Sequence, residues 1–218
     1  MNRKLKALGL ALVAVFAMSA LSAASASAVE FHSSVAHTEL RGEQHAGEDT
    51  FTVNAGTVRC SHATYTGTET SATATTQSVT PAYTGCKAFG FVNTTIDTNG
   101  CSYRFDSNGN NVDIICPGNP ITVTAFNCWV TVGSQENLGT VTYTNVAGQT
   151  TKNEKEEVIG VHEDDVTVDV NITGIKYTQH SKSFPGCTNG TFTNGTYTGS
   201  ATVRGFNTAG EQVDIWVA

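Results

Sequence analysis

One stretch of eight residues constrains the fold more than any other part of the chain. From Val166 to Thr173 the sequence alternates apolar and polar residues without a break. Successive side chains of a β-strand point to opposite faces, so such alternation predicts a strand with one buried face and one face in water. The residues that share the buried face are Val166, Val168, Val170 and Ile172.

Shorter alternations occur at residues 121–125 and 140–144 and at the end of the chain. In the last of these, Val213, Ile215 and Val217 share a face opposite Asp214 and Trp216. Thr makes up about a sixth of the chain while Leu and Met are scarce, and β-branched residues prefer strands. No longer window shows a helical period, so these patterns together indicate a β protein.

Turn signals separate the alternating runs. Asn108-Gly109 and Asn194-Gly195 favour the two-residue turn of a β-hairpin, and residues 145–149 and 207–210 suit longer hairpin loops. Strands joined by short turns are antiparallel neighbours. We therefore predict an all-β fold, an antiparallel β-sandwich with Greek-key or meander connections.

The N-terminus has the plan of a cleaved signal peptide. Arg3, Lys4 and Lys6 precede an apolar run over residues 7–20, and Ala26-Ser27-Ala28 offers small residues for a signal peptidase, so we expect cleavage before Val29, with a cut after Ala26 as the alternative. The run is short and Ala-rich for a membrane anchor, and nothing after it is apolar for long enough to span a bilayer. Because no cysteine lies at the cut, where a lipid would be attached, we expect a secreted extracellular protein and not a lipoprotein.

The signal peptide over 1–28 leaves two further regions to assign. Residues 29–50 contain His32 and His37, whose spacing fits a metal site loosely, but a charged stretch follows them. We therefore predict a mobile N-terminal arm over 29–50. For residues 51–218 we predict a single β-sandwich domain, with a split into two small β domains near 117–120 as the alternative.

All six cysteines lie in the exported part of the chain. An even number there, with no C-x-x-C spacing, favours three disulfides over a metal-thiolate or catalytic site. If Asn108 and Gly109 form a two-residue turn, opposed residues have numbers that add to 217, which pairs Cys101 with Cys116. Counted from that turn they form a hydrogen-bonded pair, whose Cα atoms lie about 5.5 Å apart.

The pairing of the other four cysteines is predicted from the segments that separate them. Cys60 and Cys86 flank a Thr-rich stretch over 64–80 that predicts a long loop or a ragged hairpin, whose base a disulfide would tie. This assignment leaves Cys128 to pair with Cys187.

The net charge limits the classes of partner. Removing residues 1–28 removes three of the 12 Lys and Arg and none of the 19 Asp and Glu, so the net charge becomes 9 − 19 = −10. An acidic chain without a basic cluster repels phosphate backbones, so we exclude nucleic acid as a partner. Anionic membrane surfaces are disfavoured for the same reason.

Oxygen-bearing side chains recur at alternate positions between residues 106 and 113. Asp106, Asn108, Asn110 and Asp113 are oxygen donors of the type that Ca²⁺ prefers. The pattern departs from the EF-hand loop, since Asn111 and Pro117 stand where Gly and Glu are needed. Turns also favour Asn and Asp, so a turn is the leading interpretation and calcium, the one cofactor considered, is the alternative.

A second acidic group offers an enzymatic alternative. Paired carboxylates can hydrolyse glycosidic bonds, although neighbouring charges near a hairpin tip are more typical of a solvated loop. There is no G-x-S-x-G motif and no Gly-rich phosphate loop. The acidic residues are Glu154, Glu156, Glu157, Glu163, Asp164, Asp165 and Asp169.

Several aromatic residues complete the functional signals. Aromatic faces held on a rigid sandwich can bind sugars or proteins, but packing on the second sheet or under a loop is the leading interpretation. We therefore predict a non-enzymatic protein with a structural, adhesive or ligand-binding role and a cell-surface glycan or protein as partner; the alternative is a secreted carbohydrate-active enzyme. The aromatic residues are Tyr65, Tyr83, Phe192, Tyr197 and Trp216.

Overall fold

The structure is a computed structural model that describes residues 29–152, 158–162, 164–183 and 186–218. These residues form β-strands and connecting turns, and they include no helix that could cross a membrane. The predicted signal peptide lies outside the described residues. The strands are, in chain order, β1 (Phe31–Ser33), β2 (Thr38–Gln44), β3 (Asp49–Val53), β4 (Gly56–Glu69), β5 (Thr73–Ala74), β6 (Thr76–Ala88), β7 (Val92–Asp97), β8 (Ser102–Asp106), β9 (Asn111–Ile115), β10 (Ile121–Ala125), β11 (Cys128–Val132), β12 (Gln135–Leu138), β13 (Thr140–Val146), β14 (Gln149–Lys152), β15 (Val158–His162), β16 (Asp165–Ser181), β17 (Gly190–Phe206), β18 (Gln212–Val213) and β19 (Ile215–Val217).

The main sheet closes on itself. Going round it, β2 and β3 pair with β4, β4 with β6, β6 with β7 and β8, β7 with β10, and β8 with β9. The sheet continues through β10–β11, β9–β12, β11–β16, β13–β16 and β16–β17. Finally, β17 pairs with β2 and β3 near the start of the chain. All these pairings are antiparallel, and the sheet encloses an interior.

The closed sheet differs from the predicted sandwich of two stacked sheets. Strands that follow each other in the chain pair in several places, as β8 does with β9 and β16 with β17, but β11 pairs with β16 and β17 with β2, which are distant in the chain. Alternation cannot separate the two architectures, since each gives every strand one inner and one outer face. Strand length is the physical reason for closure: β4, β6, β16 and β17 contain 13 to 17 residues, and long twisted strands coil until the sheet edges meet.

The interior is lined as the alternation predicted. Val166 and Ile172 of β16 are buried in the core, and Val168 and Val170 pack partly buried against it. Val213 and Ile215 are also buried, while Trp216 is partly exposed. The prediction of an all-β antiparallel fold is therefore confirmed.

The structure places most of residues 29–50 in strands, where we expected a mobile arm. Residues 38–44 form β2, which lies between β4 and β17, and β3 begins at Asp49. Along β2 the inward positions Thr38 and Leu40 are buried, and the charged residues between them point outward. Glu39, Arg41 and Glu43 of the charged stretch therefore occupy the outer face of β2, whereas Asp49 is buried.

A small three-stranded sheet covers one end of the closed sheet. Its strands lie in the order β19, β1, β5. Hydrogen bonds join β1 and the residues before it to neighbouring turns: Val29 O accepts from Ser107, and Ser33 N donates to Ala72 O at 2.9 Å. Phe31 is buried, and its ring meets the Tyr143 ring edge to face at 5.2 Å. We call β1, β5 and β19 the cap, and this end of the sheet the capped end.

Packed side chains fill the opposite end. Tyr177 and Gln179 of β16 are buried there, and they accept hydrogen bonds from the backbone nitrogens of Asn54 and Ala55 in the β3–β4 turn. The connections at this end comprise residues 54–55, 89–91, 126–127 and 182–189. We call it the phenylalanine end, because three phenylalanines lie on its turns.

All three predicted disulfides are present, as Cys60–Cys86, Cys101–Cys116 and Cys128–Cys187. Cys60 and Cys86 face each other across the β4–β6 hairpin, so the Thr-rich stretch between them is the ragged hairpin. Residues on both sides of 117–120 belong to the same sheet, since β9 pairs with β8 and β10 with β7.

The predicted register of the β8–β9 hairpin is confirmed, but its turn differs. Ser102 pairs with Ile115, which preserves the sum of 217, yet β8 ends at Asp106 and β9 begins at Asn111, so the loop has four residues. Adding one residue to each side of the loop exchanges hydrogen-bonded and non-hydrogen-bonded positions. The Cys101–Cys116 Cα distance is accordingly 4.2 Å, the spacing of a non-hydrogen-bonded pair.

The other predicted two-residue turn is wrong. Asn194 and Gly195 lie inside β17, at a register irregularity opposite Ile175 and Tyr177 of β16. A Cβ at Gly195 would meet the carbonyl oxygen of Ile175 at 2.9 Å, so the glycine serves close packing between strands.

Candidate functional site

The closed sheet encloses a cavity with a volume of about 130 Å³. Most of its lining residues are aliphatic or aromatic, and they come from strands around the whole sheet and from the cap. An apolar cavity of about 150 Å³ is large enough to bind benzene. The cavity can therefore hold a ligand about the size of one ring.

A carboxylate surrounded by tyrosines lies on the wall of this cavity. Asp49 of β3 is only 2% exposed, and the Tyr65 hydroxyl donates to its Oδ2 at 3.2 Å. The hydroxyls of Tyr65 and Tyr197 are 3.0 Å apart, and that of Tyr83 donates to Tyr197 at 3.3 Å. Tyr83 and Tyr103 complete the network at 2.9 Å. Five strands, β3, β4, β6, β8 and β17, thus join their polar groups inside an apolar interior.

Burial sets the electrostatics of this network. Desolvation raises the pKa of Asp49 to about 6, against hydrogen bonds from Tyr197 and Tyr65 that lower it. Burial also raises the pKa of Tyr65, and the nearby Asp49 charge raises it further. The pKa of Tyr103 rises to about 12, again mainly through burial. The tyrosines therefore stay protonated near neutral pH and act as hydrogen-bond donors.

One oxygen of Asp49 has no hydrogen-bond partner. Its Oδ1 atom is fully buried, and it lies against Gly199 of β17. A Cβ at Gly199 would lie 2.0 Å from that oxygen, so only glycine leaves room for the carboxylate. The sequence thus positions a buried acceptor that the surrounding residues leave unsatisfied.

Two more unpartnered polar atoms belong to cavity-lining residues towards the capped end. Glu69, the last residue of β4, is 4% exposed, and its Oε2 has no hydrogen-bond partner. Burial raises the Glu69 pKa to about 7. The Tyr143 hydroxyl is also buried without a partner, and burial raises its pKa. Both side chains line the same cavity as Asp49.

The residues predicted to bind calcium hold the β8–β9 loop and its neighbours. Asp106 Oδ1 accepts from the backbone nitrogens of Asn108 and Gly109 at 2.8 and 2.9 Å, as in an Asx-type turn. Asn110 has a φ of 48°, a conformation that asparagine tolerates. Among the described residues, no three His, Cys, Asp or Glu side chains cluster as a metal site would require.

The remaining calcium ligand candidate, Asp113, binds other groups. Arg104 donates to its Oδ2 from Nη2 at 2.6 Å, and the backbone nitrogen of Asn137 donates to its Oδ1 at 2.7 Å. The positively charged Arg104 guanidinium would repel a calcium ion at the Asp113 carboxylate. Calcium binding by this loop stays a prediction that a titration can test.

The acidic group proposed for glycoside hydrolysis is only partly described. Glu154, Glu156, Glu157 and Glu163 lie outside the described residues. Asp165 is buried and accepts hydrogen bonds from Arg204 at 3.2 Å and from Gln212 at 2.9 Å. Asp164 accepts from Gly148 N, and Asp169 is exposed on β16. The enzymatic alternative stays a prediction.

The predicted exposed aromatics lie mostly inside. Tyr65, Tyr83 and Tyr197 belong to the Asp49 network described above. Phe192 packs against Tyr177 with ring centroids 5.5 Å apart, and Trp216 stacks on His32 at 5.2 Å. These side chains therefore face the core or the cap, which is the interpretation that the sequence favoured over a separate aromatic binding face.

The sequence analysis missed the buried carboxyl groups. Residues an even number of positions apart in a strand point to the same face. Glu69 is four positions from Tyr65 in β4, and Asp49 is four positions from Val53 in β3, so both carboxyl groups share the inward face. No protein-family model, no curated protein and no solved structure matches the chain. The function is therefore inferred from the cavity and its polar groups.

Proposed function

We propose that the protein is a secreted, non-enzymatic ligand-binding protein that holds a small apolar molecule inside its closed sheet. The observation that carries this proposal is the set of unpartnered buried atoms of cavity-lining residues, namely Asp49 Oδ1, Glu69 Oε2, Ser200 Oγ and the Tyr143 hydroxyl. Buried polar atoms in folded proteins nearly always have a hydrogen-bond partner. A ligand in the cavity would supply it.

The lining defines the class of ligand. Its apolar walls and a volume of about 130 Å³ favour a compact body such as one aromatic ring. Carboxylate oxygens only accept hydrogen bonds, so the ligand needs a donor, and a cationic donor also compensates the charge of Asp49 and Glu69 in a medium of low polarity. A small aromatic or aliphatic amine meets both requirements best.

Export fits this role. Three disulfides in an all-β fold are typical of an extracellular protein. The signal-peptide cut proposed before Val29 would retain the whole of β1 and also Val29, whose O accepts from Ser107. The proposed mature chain would therefore keep the cap that covers the cavity.

Binding of matched probes tests the proposal. Benzylamine carries the donor and the charge, and toluene has the same ring without them. We expect benzylamine at pH 8 to shift the amide resonances of β3, β4 and β13 and to bind about tenfold more tightly than toluene. Glu69→Gln and Asp49→Asn should each reduce that preference, and both together should remove it. Glu43→Gln, which alters a carboxyl on the exposed surface, is the matched control.

Two results would overturn the proposal. One is that neither compound shifts interior resonances at millimolar concentration. The other is that the Asp49→Asn/Glu69→Gln protein, folded by its near-ultraviolet circular dichroism, keeps the full preference for benzylamine.

A further inference from the structure

Three phenylalanines project from adjacent turns at the phenylalanine end. Phe89, Phe91 and Phe126 are 60%, 77% and 75% exposed, and we call them the aromatic tip. β7 lies between β6 and β10, and Ala125 pairs with Thr94, so the next position, Phe126, lies beside Asn93. From strand spacing, the Cα atoms of Phe91 and Phe126 are about 8 to 10 Å apart. The three phenylalanines thus lie on neighbouring turns at the same end of the sheet.

The backbone of the tip is strained. Phe89 has a φ of 54° and Phe126 a φ of 52°, in the left-handed region. Bulky residues rarely occupy this region, where turns normally place Gly or Asn. The Phe89 ring lies against Gly56, but burial compensates little for this strain because both phenylalanine side chains remain largely exposed. Backbone strain of this kind is found most often at functional positions.

Covalent and hydrogen-bonded supports hold these turns. Cys86 lies three residues before Phe89, and Cys128 lies two residues after Phe126, and each belongs to a disulfide. Phe89 N also donates to Thr57 O at 3.2 Å. The side chains are therefore presented outward on a rigid base.

The charge around the tip is opposite to that of the whole protein. The four connections at this end, residues 54–55, 89–91, 126–127 and 182–189, contain no Asp or Glu, and Lys87 and Lys182 flank the phenylalanines. The net charge of residues 29–218 is 9 − 19 = −10. An apolar patch with cations beside it is thus set on an otherwise acidic molecule.

We propose that the aromatic tip docks the protein on the surface of a lipid bilayer. The rings sit on convex turns that cannot enclose a small ligand. Three phenylalanines supply about 450 to 750 Å² of side-chain area, less than the roughly 800 Å² that each partner of a standard protein interface buries. Shallow insertion of apolar rings, with lysines at the level of the headgroups, is how proteins bind the membrane interface. The lysines favour an anionic headgroup layer.

Vesicle sedimentation with the mature chain tests this proposal. The probes are vesicles of phosphatidylcholine alone and with a third of phosphatidylglycerol. We expect binding to both, tighter to the second, and a fall of about tenfold or more in the partition coefficient for Phe91→Ser/Phe126→Asn. Phe126→Asn removes the ring while supplying a residue that tolerates positive φ, so this variant should fold. The control is Val35→Ser/Val146→Ser, which removes two exposed apolar side chains near the capped end and should leave binding within twofold.

Two outcomes would overturn the proposal. Binding that is absent for both vesicle types, or equal for the tip and control variants, contradicts it directly. Sedimentation velocity provides the second test: a dimer that the tip substitutions dissociate would make the patch a contact between two copies of this chain. Neither result bears on benzylamine binding, so this proposal and the proposed ligand function fail separately.

Discussion

The two ends of the closed sheet are built in different ways. At the phenylalanine end the interior is filled by Tyr177 and Gln179, and two disulfides brace the turns. At the capped end the closure is non-covalent, through the short strands β1, β5 and β19 and the contact between Phe31 and Tyr143. A covalently braced end presents fixed groups to the outside, whereas a non-covalent cap can open.

This contrast assigns different roles to the two ends. Glu69, Tyr143 and the cap residues Phe31 and Trp216 line the cavity, so a ligand would enter where the cap detaches. Short strands that bury few side chains are the parts of a fold that open at low free energy. The phenylalanine end is the better platform for a surface contact because it would not move when the cap opens.

The largest expected effect comes from removing the brace at the phenylalanine end. Cys128→Ala/Cys187→Ala deletes a cross-link that spans 59 residues, and we expect the free energy of unfolding to fall by about 4 kcal/mol. Deleting the Cys101–Cys116 pair, which spans 15 residues, should cost about 3 kcal/mol. Urea unfolding of both variants gives the comparison. A smaller loss for the 128–187 pair would show that the native chain is strained by that cross-link.

The next effect compares one phenylalanine from each end. Phe31→Ala removes a buried ring from the cap and should lower the free energy of unfolding by about 3 kcal/mol. Phe91→Ala removes an exposed ring and should change it by no more than about 0.5 kcal/mol. Hydrogen exchange should locate the damage, with faster exchange in β1 and β19 for Phe31→Ala. Equal losses for the two variants would contradict the assignment of the ends.

The strands and cross-links could be predicted because they depend on local rules. Alternation gave the inner face of β16, and counting outward from one loop paired Cys101 with Cys116 although the turn itself was wrong. Closure could not be predicted, because the pairing of β17 with β2 and β3 joins the two ends of the chain. No local pattern records such a pairing.

The candidate sites were harder to predict for a related reason. Tyr65 and Tyr197 were named only as aromatic side chains that could bind a partner or pack inside, whereas in the structure their hydroxyls meet beside the buried carboxyl of Asp49. The net charge of −10 likewise describes the whole molecule and does not reveal that the region around Lys87 and Phe89 has basic residues and no acidic ones in its turns. Composition averages over faces, whereas both sites depend on which face a residue occupies.

The smallest effect tests the buried carboxyl near the capped end through pH. The folded-state pKa of Glu69 is raised to about 7, against about 4.3 in the unfolded chain. Between about pH 4 and pH 7 the Glu69 carboxyl group therefore keeps its proton in the folded protein but loses it in the unfolded chain. As a result, the free energy of unfolding falls as the pH rises through this range. Asp49, with a pKa of about 6, acts in the same direction up to pH 6.

Glu69→Gln isolates this contribution, because glutamine keeps the shape of the side chain and removes the charge. We expect the variant to be about 2 kcal/mol more stable than the parent at pH 8 and equal to it near pH 4, so that its stability depends less on pH. Urea unfolding at pH 4, 6 and 8 measures the difference, with Glu43→Gln as the exposed control. If Glu69→Gln were less stable than the parent at pH 8, the carboxylate would have a partner when ionised, and the unsatisfied acceptor on which the capped-end ligand site depends would not exist.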